Sequence, residues 1–213
     1  MKLRAADATT IIRVLLGIVA AYMIIYKILP YLVVLLIGIV IFLDAIDGYF
    51  AVREETKGRI NLRAYLSSIT GKGKFASEVK KAKHGISKKH KYGARMDVAG
   101  DRVVEYTFWM TFTYLNIIPI LILFIVLIRH SFADAFMASK GTSSKLRSRV
   151  ARAVYASNIG RGGINVVKFA AFSYLALVYT ENYPIAIGYV LTAILLVYIL
   201  LRGAAEIYES TMA

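Results

Sequence analysis

The chain has 213 residues, of which 58% are hydrophobic and only 19% are charged. Lys and Arg number 27 against 13 Asp and Glu, so the formal net charge is +14. The apolar content excludes an intrinsically disordered chain, and the absence of Cys excludes disulfides, Cys-ligated zinc and a thiol nucleophile.

Six apolar stretches, each of about the length that crosses a bilayer, follow one another along the chain. In chain order they cover residues 10–29, 31–50, 95–114, 117–137, 154–179 and 184–202. Six such segments would leave a soluble helical bundle too few polar faces. The sequence therefore predicts an all-α integral membrane protein with six transmembrane helices, which form one domain over residues 1–213.

Basic connecting segments alternate with short, nearly uncharged ones. The basic segments are residues 1–13, 53–92 and 138–152, and the nearly uncharged turns are residues 27–31, 116–119 and 180–184. Because basic loops stay on the cytoplasmic side of a membrane, we expect a multi-pass protein of the cell membrane with both termini in the cytoplasm.

Residues 53–92 form the one stretch that resembles soluble protein. They carry twelve Lys or Arg and three Glu, and they predict a helical cytoplasmic insertion between the second and third transmembrane helices. An amphipathic stretch over residues 60–69 is followed by a break at Gly71-Lys72-Gly73 and by a second helix over residues 75–90. We expect attraction to anionic lipid headgroups. Nucleic-acid binding is not expected, because basic residues beside a membrane already have an explanation.

Four of the 13 acidic residues form two pairs at the ends of predicted helices. Asp44 and Asp47 are three residues apart, and Asp97 and Asp101 are four apart, so each pair lies on one helical face. The predicted topology brings both pairs to the cytoplasmic side. Two helices can therefore bring four carboxylates into one pocket.

Four unpaired carboxylates in one confined site would repel each other, and a hard divalent cation would remove this repulsion. All-oxygen ligands favour Mg²⁺, Mn²⁺ or Ca²⁺ over zinc or copper. The alternative is that the acids form ordinary ion pairs with nearby Lys and Arg. Gly48 and Gly93 favour a ligand site, because glycine lets a ligand come close to the backbone, although glycines also serve helix packing in membranes.

Residues 44–51, Asp-Ala-Ile-Asp-Gly-Tyr-Phe-Ala, are followed by residues 93–101, Gly-Ala-Arg-Met-Asp-Val-Ala-Gly-Asp. Together they resemble the signature of the CDP-alcohol phosphotransferase family, D-x2-D-G-x2-A-R followed by G-x3-D-x3-D. Thr10-Ile-Ile-Arg13 is similar to the N-terminal T-x2-R element of that family, with Asp7 where Asn is usual. Two features depart from the pattern. Val52 stands where the signature has Arg, and residues 54–92 replace a short spacer.

The resemblance implies an enzyme that transfers a phosphatidyl-type or archaetidyl-type group from a CDP-linked lipid to the hydroxyl of a small alcohol, releasing CMP. It implies two Mg²⁺ or Mn²⁺ ions, an active site on the cytoplasmic side and a homodimer. The implied metal ligands are Asp44, Asp47, Asp97 and Asp101, with Asp101 also the general base. The implied contacts to the CDP moiety are Thr10, Asp47, Gly48, Ala51, Gly93 and Asp97.

The acceptor is indicated by cations near the predicted cytoplasmic ends of the last three helices. Arg129, Arg161 and Arg202 interrupt apolar stretches, and Lys145 lies in a basic loop. Together they favour a pocket for a phosphorylated polyol such as glycerol 3-phosphate or an inositol phosphate. The alternative for each cation is a side chain that reaches the lipid headgroups.

Three other functions remain open at this point. Mg²⁺-dependent prenyl-group transferases also carry Asp-rich motifs, but they leave Gly48 and Gly93 unexplained. A cation transporter would use intramembrane carboxylates along a path through the bilayer. A scaffold that binds anionic lipid through its basic insertion would have no use for four intact aspartates.

Overall fold

A computed structural model describes residues 5–69, 75–89, 93–140 and 158–211. All regular secondary structure in these residues is helical, which confirms the predicted all-α class. The helices are α1 (Ala5–Ile25), α2 (Pro30–Glu55), α3 (Leu62–Ile69), α4 (Ala76–Lys89), α5 (Gly93–Tyr114), α6 (Ile120–Lys140), α7 (Asn158–Glu181) and α8 (Ile185–Thr211).

Four segments of the described chain are long and apolar enough to cross a membrane. They are α1, α2, Gly163–Glu181 within α7 and Ile185–Tyr208 within α8. Large apolar side chains on these helices face outward, such as Leu15, Leu35 and Leu201, which are 57%, 58% and 61% exposed. A helix that is apolar on its outer surface as well as on its packed surface is typical of a membrane span.

The other two predicted spans correspond to α5 and α6, which are not among these four segments. The first half of α5 is charged, with Arg95, Asp97, Asp101, Arg102 and Glu105. The count of six spans therefore remains a prediction.

Helix ends differ in detail from the predicted boundaries. α1 ends at Ile25, four residues earlier than expected, and the chain turns through Lys27 and Leu29, whose φ angles are 54° and 44°. α2 continues past the predicted limit to Glu55, so it carries Asp44 and Asp47 well inside the helix.

The chain divides into two compact units, Met1–Ala20 with Gly38–Glu105 and Ala21–Ile37 with Tyr106–Ala213. In the first unit, α3 and α4 of the predicted insertion contact each other and pack on the end of α2. Their apolar cluster consists of Tyr49, Val52, Ile60, Tyr65, Val79 and Ala82. The predicted break at Gly71-Lys72-Gly73 lies outside the described residues.

The second unit has an aromatic core around Phe172 of α7. The ring centroid of Phe172 lies 5.2 Å from those of Phe108 and Trp109 and 6.1 Å from that of Phe112. These three partners come from α5, and all four side chains are almost completely buried.

Candidate metal site

α2 and α5 bring the predicted aspartates together within the first unit. One carboxylate oxygen from each of Asp44, Asp47 and Asp97 lies within 4.8 Å of the others. Asp101 follows Asp97 by one helical turn on α5 but is not part of this group of three. Each pair lies on one helical face, since residues three and four apart are neighbours on a helix surface, and the fold of the first unit brings the two faces together.

Arg13 of α1 lies against three of the four aspartates. Its Nη1 donates a hydrogen bond to Oδ1 of Asp44. Its Nη2 lies 2.6 Å from Oδ1 of Asp101 and 3.5 Å from Oδ1 of Asp97. The Arg13 side chain is only 2% exposed, so its charge is balanced by these carboxylates rather than by water.

The alternative of ordinary ion pairs is therefore realised in part, but one guanidinium does not balance the cluster. Four ionised carboxylates carry a formal charge of −4, and Arg13 supplies +1. Within the described residues, Oδ2 of Asp47 and Oδ1 of Asp97 are buried and accept no hydrogen bond, and Oδ1 of Asp97 has only the longer ion pair with Arg13, at 3.5 Å. Buried carboxylate oxygens of this kind require a compensating partner.

The group of three aspartates fits a hard divalent cation. Two oxygens bound to one ion are separated by at most twice the metal–oxygen distance, which is about 4.2 Å for Mg²⁺ and about 4.8 Å for Ca²⁺. The carboxylate oxygens of Asp44, Asp47 and Asp97 lie within 4.8 Å of one another, which is compatible with one divalent cation shared by the three side chains. The all-oxygen donor set also suits Mg²⁺ or Mn²⁺.

The residues expected near a CDP moiety have different surroundings. Asp47 accepts a hydrogen bond from the backbone N–H of Gly48. Ala51 is half-buried and lies one turn after Asp47 on α2. Gly93 is the first residue of α5, and its surroundings are not described by the structure. Thr10 donates its hydroxyl to the carbonyl oxygen of Ala6, 3.2 Å away.

Thr10 marks a close contact between α1 and α5. A Cβ atom at Gly100 of α5 would collide with Cγ2 of Thr10 and would lie 3.4 Å from Nη2 of Arg13. Glycine at position 100 therefore permits the approach of helices that brings Arg13 to Asp97 and Asp101.

Two of the four predicted acceptor cations, Arg129 and Arg202, pair with Glu206. The side chains of the other two are not described by the structure. In the second unit, Nη2 of Arg129 lies 3.0 Å from Oε2 of Glu206, and Nε of Arg202 lies 3.3 Å from Oε1 of Glu206. Nη1 of Arg129 lies 2.7 Å from Nδ1 of His130. Lys145 lies outside the described residues, and Arg161 is in α7 with a side chain that is not described.

Two residues of these clusters, Arg13 and Glu206, were not among the site residues predicted from the sequence, although Arg13 belongs to the Thr10-Ile-Ile-Arg13 element. Arg13 offered a signal, because an ionisable residue inside an apolar span usually has a partner or a function. Glu206 offered no such signal, because its partner Arg129 is 77 residues away in the chain.

The departure at Val52 has a structural explanation. Val52 is completely buried in the cluster formed by α2, α3 and α4, while Arg53 is exposed in the last turn of α2. The position that carries Arg in the resembled signature therefore belongs, in this chain, to the apolar contact of α2 with α3 and α4.

Comparisons with protein-family models, curated proteins and solved structures returned no match.

Proposed function

We propose that this chain is a membrane-embedded CDP-alcohol phosphotransferase. It transfers a phosphatidyl-type or archaetidyl-type group from a CDP-linked lipid to the hydroxyl of a small phosphorylated polyol, and CMP is released. The observation that carries the proposal is the meeting of Asp44, Asp47 and Asp97, from the two halves of the signature, in one group of carboxylates.

The chemistry requires charge neutralisation and a base. A Mg²⁺ or Mn²⁺ pair held by the aspartates would neutralise the diphosphate of the donor. The acceptor hydroxyl oxygen forms the new bond to the phosphorus next to the lipid, the bond from that phosphorus to the CMP oxygen breaks, and the hydroxyl proton passes to a base.

Asp101 is the proposed base, because it lies one turn beyond Asp97 and outside the group of three. Its Oδ1 lies 2.6 Å from Nη2 of Arg13, an ion pair that keeps the carboxylate close to the other aspartates. A general base must lie within hydrogen-bond reach of the proton that it accepts, and a carboxylate beside the metal ligands would have that reach for an acceptor hydroxyl bound there.

The proposed acceptors are glycerol 3-phosphate and inositol phosphate, and the proposed acceptor contacts are Arg129, Lys145, Arg161 and Arg202. The pairing of Arg129 and Arg202 with Glu206 leaves one net positive charge on these three side chains. Such a cluster would attract a phosphate group.

The membrane topology is also part of this proposal. We propose six transmembrane helices, with the termini, the carboxylate site and the insertion on the cytoplasmic side, and a homodimeric assembly. The basic segments and the four apolar helices support a cell-membrane location, where both lipid donor and lipid product are retained.

The experiment is an assay of CMP release by the purified protein in detergent with Mg²⁺. Donors are CDP-diacylglycerol and its archaeol-linked counterpart. Acceptors are glycerol 3-phosphate, inositol 1-phosphate, free inositol, serine and none. Acceptor-dependent CMP that disappears in Asp97→Asn supports the proposal. Absence of CMP with every donor and acceptor contradicts it, and cation transport in vesicles is then measured.

A further inference from the structure

Tyr65 of the inserted helix α3 reaches the carboxylate site at Gly48. The phenolic oxygen of Tyr65 lies 2.7 Å from the position that a Cβ atom would occupy on Gly48. Cζ, the ring carbon that bears this oxygen, lies 3.8 Å from the same position. The tyrosine is only 4% exposed. Its hydroxyl therefore fills the space that the missing side chain of Gly48 leaves open.

This space belongs to the candidate site. The backbone N–H of Gly48 donates its hydrogen bond to Oδ1 of Asp47, and Asp47 is one of the three aspartates that could bind a metal ion. A ligand that approaches Gly48 from the side of the absent side chain would have to occupy the position of the Tyr65 hydroxyl. Two atoms cannot share that position, so the ligand and the hydroxyl exclude each other.

The inserted helices are held against α2 by apolar packing. The ring centroids of Tyr65 and Tyr49 are 5.7 Å apart, and Val52 is completely buried beside them. The chain leaves α2 through a turn at Lys57 and Gly58, where the N–H of Gly58 donates to the carbonyl oxygen of Arg53 at 2.8 Å. Position 65 is thereby fixed to the helix that carries Asp44 and Asp47.

We propose that Tyr65 controls access of the donor nucleotide to the carboxylate site, and that the donor displaces its hydroxyl from Gly48 on binding. This inference rests on the proposed function, since it identifies the ligand at Gly48 as the CDP moiety. When only a fraction of the protein is in the state that can bind, the apparent Kd equals the intrinsic Kd divided by that fraction. Here the competent state is the one in which the Tyr65 hydroxyl has left Gly48. Removing the hydroxyl therefore strengthens donor binding.

Tyr65→Phe is the conservative test, because it keeps the buried ring and removes the one atom within 3 Å of the Gly48 Cβ position. Tyr49→Phe is the matched control, since it removes a hydroxyl from the same apolar cluster. Binding of CDP with Mg²⁺ is measured by calorimetry in detergent for the wild type, both variants and Asp47→Asn. We expect Tyr65→Phe to lower the Kd roughly three- to tenfold, with Tyr49→Phe unchanged.

Steady-state kinetics distinguish a role of Tyr65 in donor access from a role in packing alone. In the CMP-release assay, the KM for the CDP-linked lipid should fall in Tyr65→Phe while kcat stays within about twofold of the wild type, because the metal ligands are untouched. An unchanged Kd and KM would overturn the proposal. A raised Kd would also overturn it, because the hydroxyl would then contact the ligand rather than exclude it.

Proteolysis of the wild type gives a second measurement that needs no variant. Arg59, Arg63 and Lys81 of the insertion are exposed sites for trypsin. CDP with Mg²⁺ should accelerate cleavage at these sites, since displacement of Tyr65 loosens the inserted helices from α2. Slower cleavage would mean that the insertion closes over the ligand, contrary to the proposal.

The outcomes also distinguish this inference from the proposed function. If the wild type and Tyr65→Phe bind CDP equally and Asp47→Asn does not, the site is supported and the role of Tyr65 is refuted. If neither the wild type nor Tyr65→Phe binds CDP and no CMP is released, the proposed function fails, and the role of Tyr65 fails with it.

Discussion

Nη2 of Arg13 lies 2.6 Å from Oδ1 of Asp101. The contact joins a residue near the start of the chain to the last of the four paired aspartates, and it makes Arg13 a counter-ion of the carboxylate site. A divalent cation bound to the neighbouring aspartates would compete with this guanidinium for the same negative charge.

Arg13→Gln should therefore have opposite effects on stability and on metal affinity. Loss of the buried guanidinium leaves the partly exposed carboxylates of Asp44, Asp97 and Asp101 uncompensated, so the unfolding temperature in EDTA should fall. Affinity for Mg²⁺ should rise at least about tenfold, because a positive charge a few ångströms away has been removed. Thermal unfolding in detergent, with and without Mg²⁺, measures both effects.

Arg13→Lys is the matched control, because it keeps the charge and loses the planar geometry that reaches two carboxylates at once. It should be less destabilised than Arg13→Gln and should keep a Mg²⁺ affinity near that of the wild type. Equal Mg²⁺ affinities in all three proteins would show that Arg13 and the metal do not share a site.

Asp97→Asn should weaken metal binding and abolish CMP release. The substitution removes one of three carboxylates that lie within 4.8 Å of each other, and the amide cannot supply the lost negative charge. Mn²⁺ binding followed by electron paramagnetic resonance should show at least a tenfold weaker Kd, of the order found for loss of a metal-site partner. Glu54→Gln, an exposed position on the same helix as Asp44, should bind Mn²⁺ as the wild type does.

The structure and the sequence agree where local spacing is sufficient. The spacing of Asp44 with Asp47 and of Asp97 with Asp101 predicted two acidic faces, and the structure brings these faces together. Arg13 could not be placed in the same way, because its contact with Asp44 spans 31 residues. Tyr65 resembled an ordinary apolar-face residue, and only the tertiary packing of α3 on α2 brings it to Gly48.

Gly100→Ala tests the close approach of α1 and α5. The new methyl group would collide with Cγ2 of Thr10, so the unfolding temperature should fall by several degrees, as expected for overpacking of about 1 to 3 kcal/mol. The double variant with Thr10→Ser removes that methyl group and should recover most of the loss. Thr10→Ser alone should be nearly neutral, and failure of the double variant to recover would refute this contact as the cause.

Glu206→Gln tests whether Arg129 and Arg202 depend on their shared partner. Arg129 and Glu206 are 6% and 5% exposed at a distance of 3.0 Å, and removal of one member of a buried pair costs about 3 to 5 kcal/mol. The unfolding temperature should therefore fall strongly.

Arg202→Gln should cost much less stability, because the Arg202 side chain is 24% exposed and partly solvated pairs contribute little. If Arg202 binds the acceptor phosphate, its loss should raise the KM for the phosphorylated acceptor while leaving the KM for the CDP-linked lipid unchanged. An unaltered acceptor KM in a folded Arg202→Gln protein would remove Arg202 from the acceptor site.

Metal-dependent transfer by this chain is tested by the initial rate of CMP release from a CDP-linked lipid as a function of free Mg²⁺. It is measured for the wild type and Asp97→Asn with a phosphorylated polyol present and absent. We expect a rate that saturates with Mg²⁺, requires the acceptor and is lost in the variant. Release of no CMP by the folded wild type with either lipid donor at any Mg²⁺ concentration, or a rate that Asp97→Asn leaves unchanged, would contradict it.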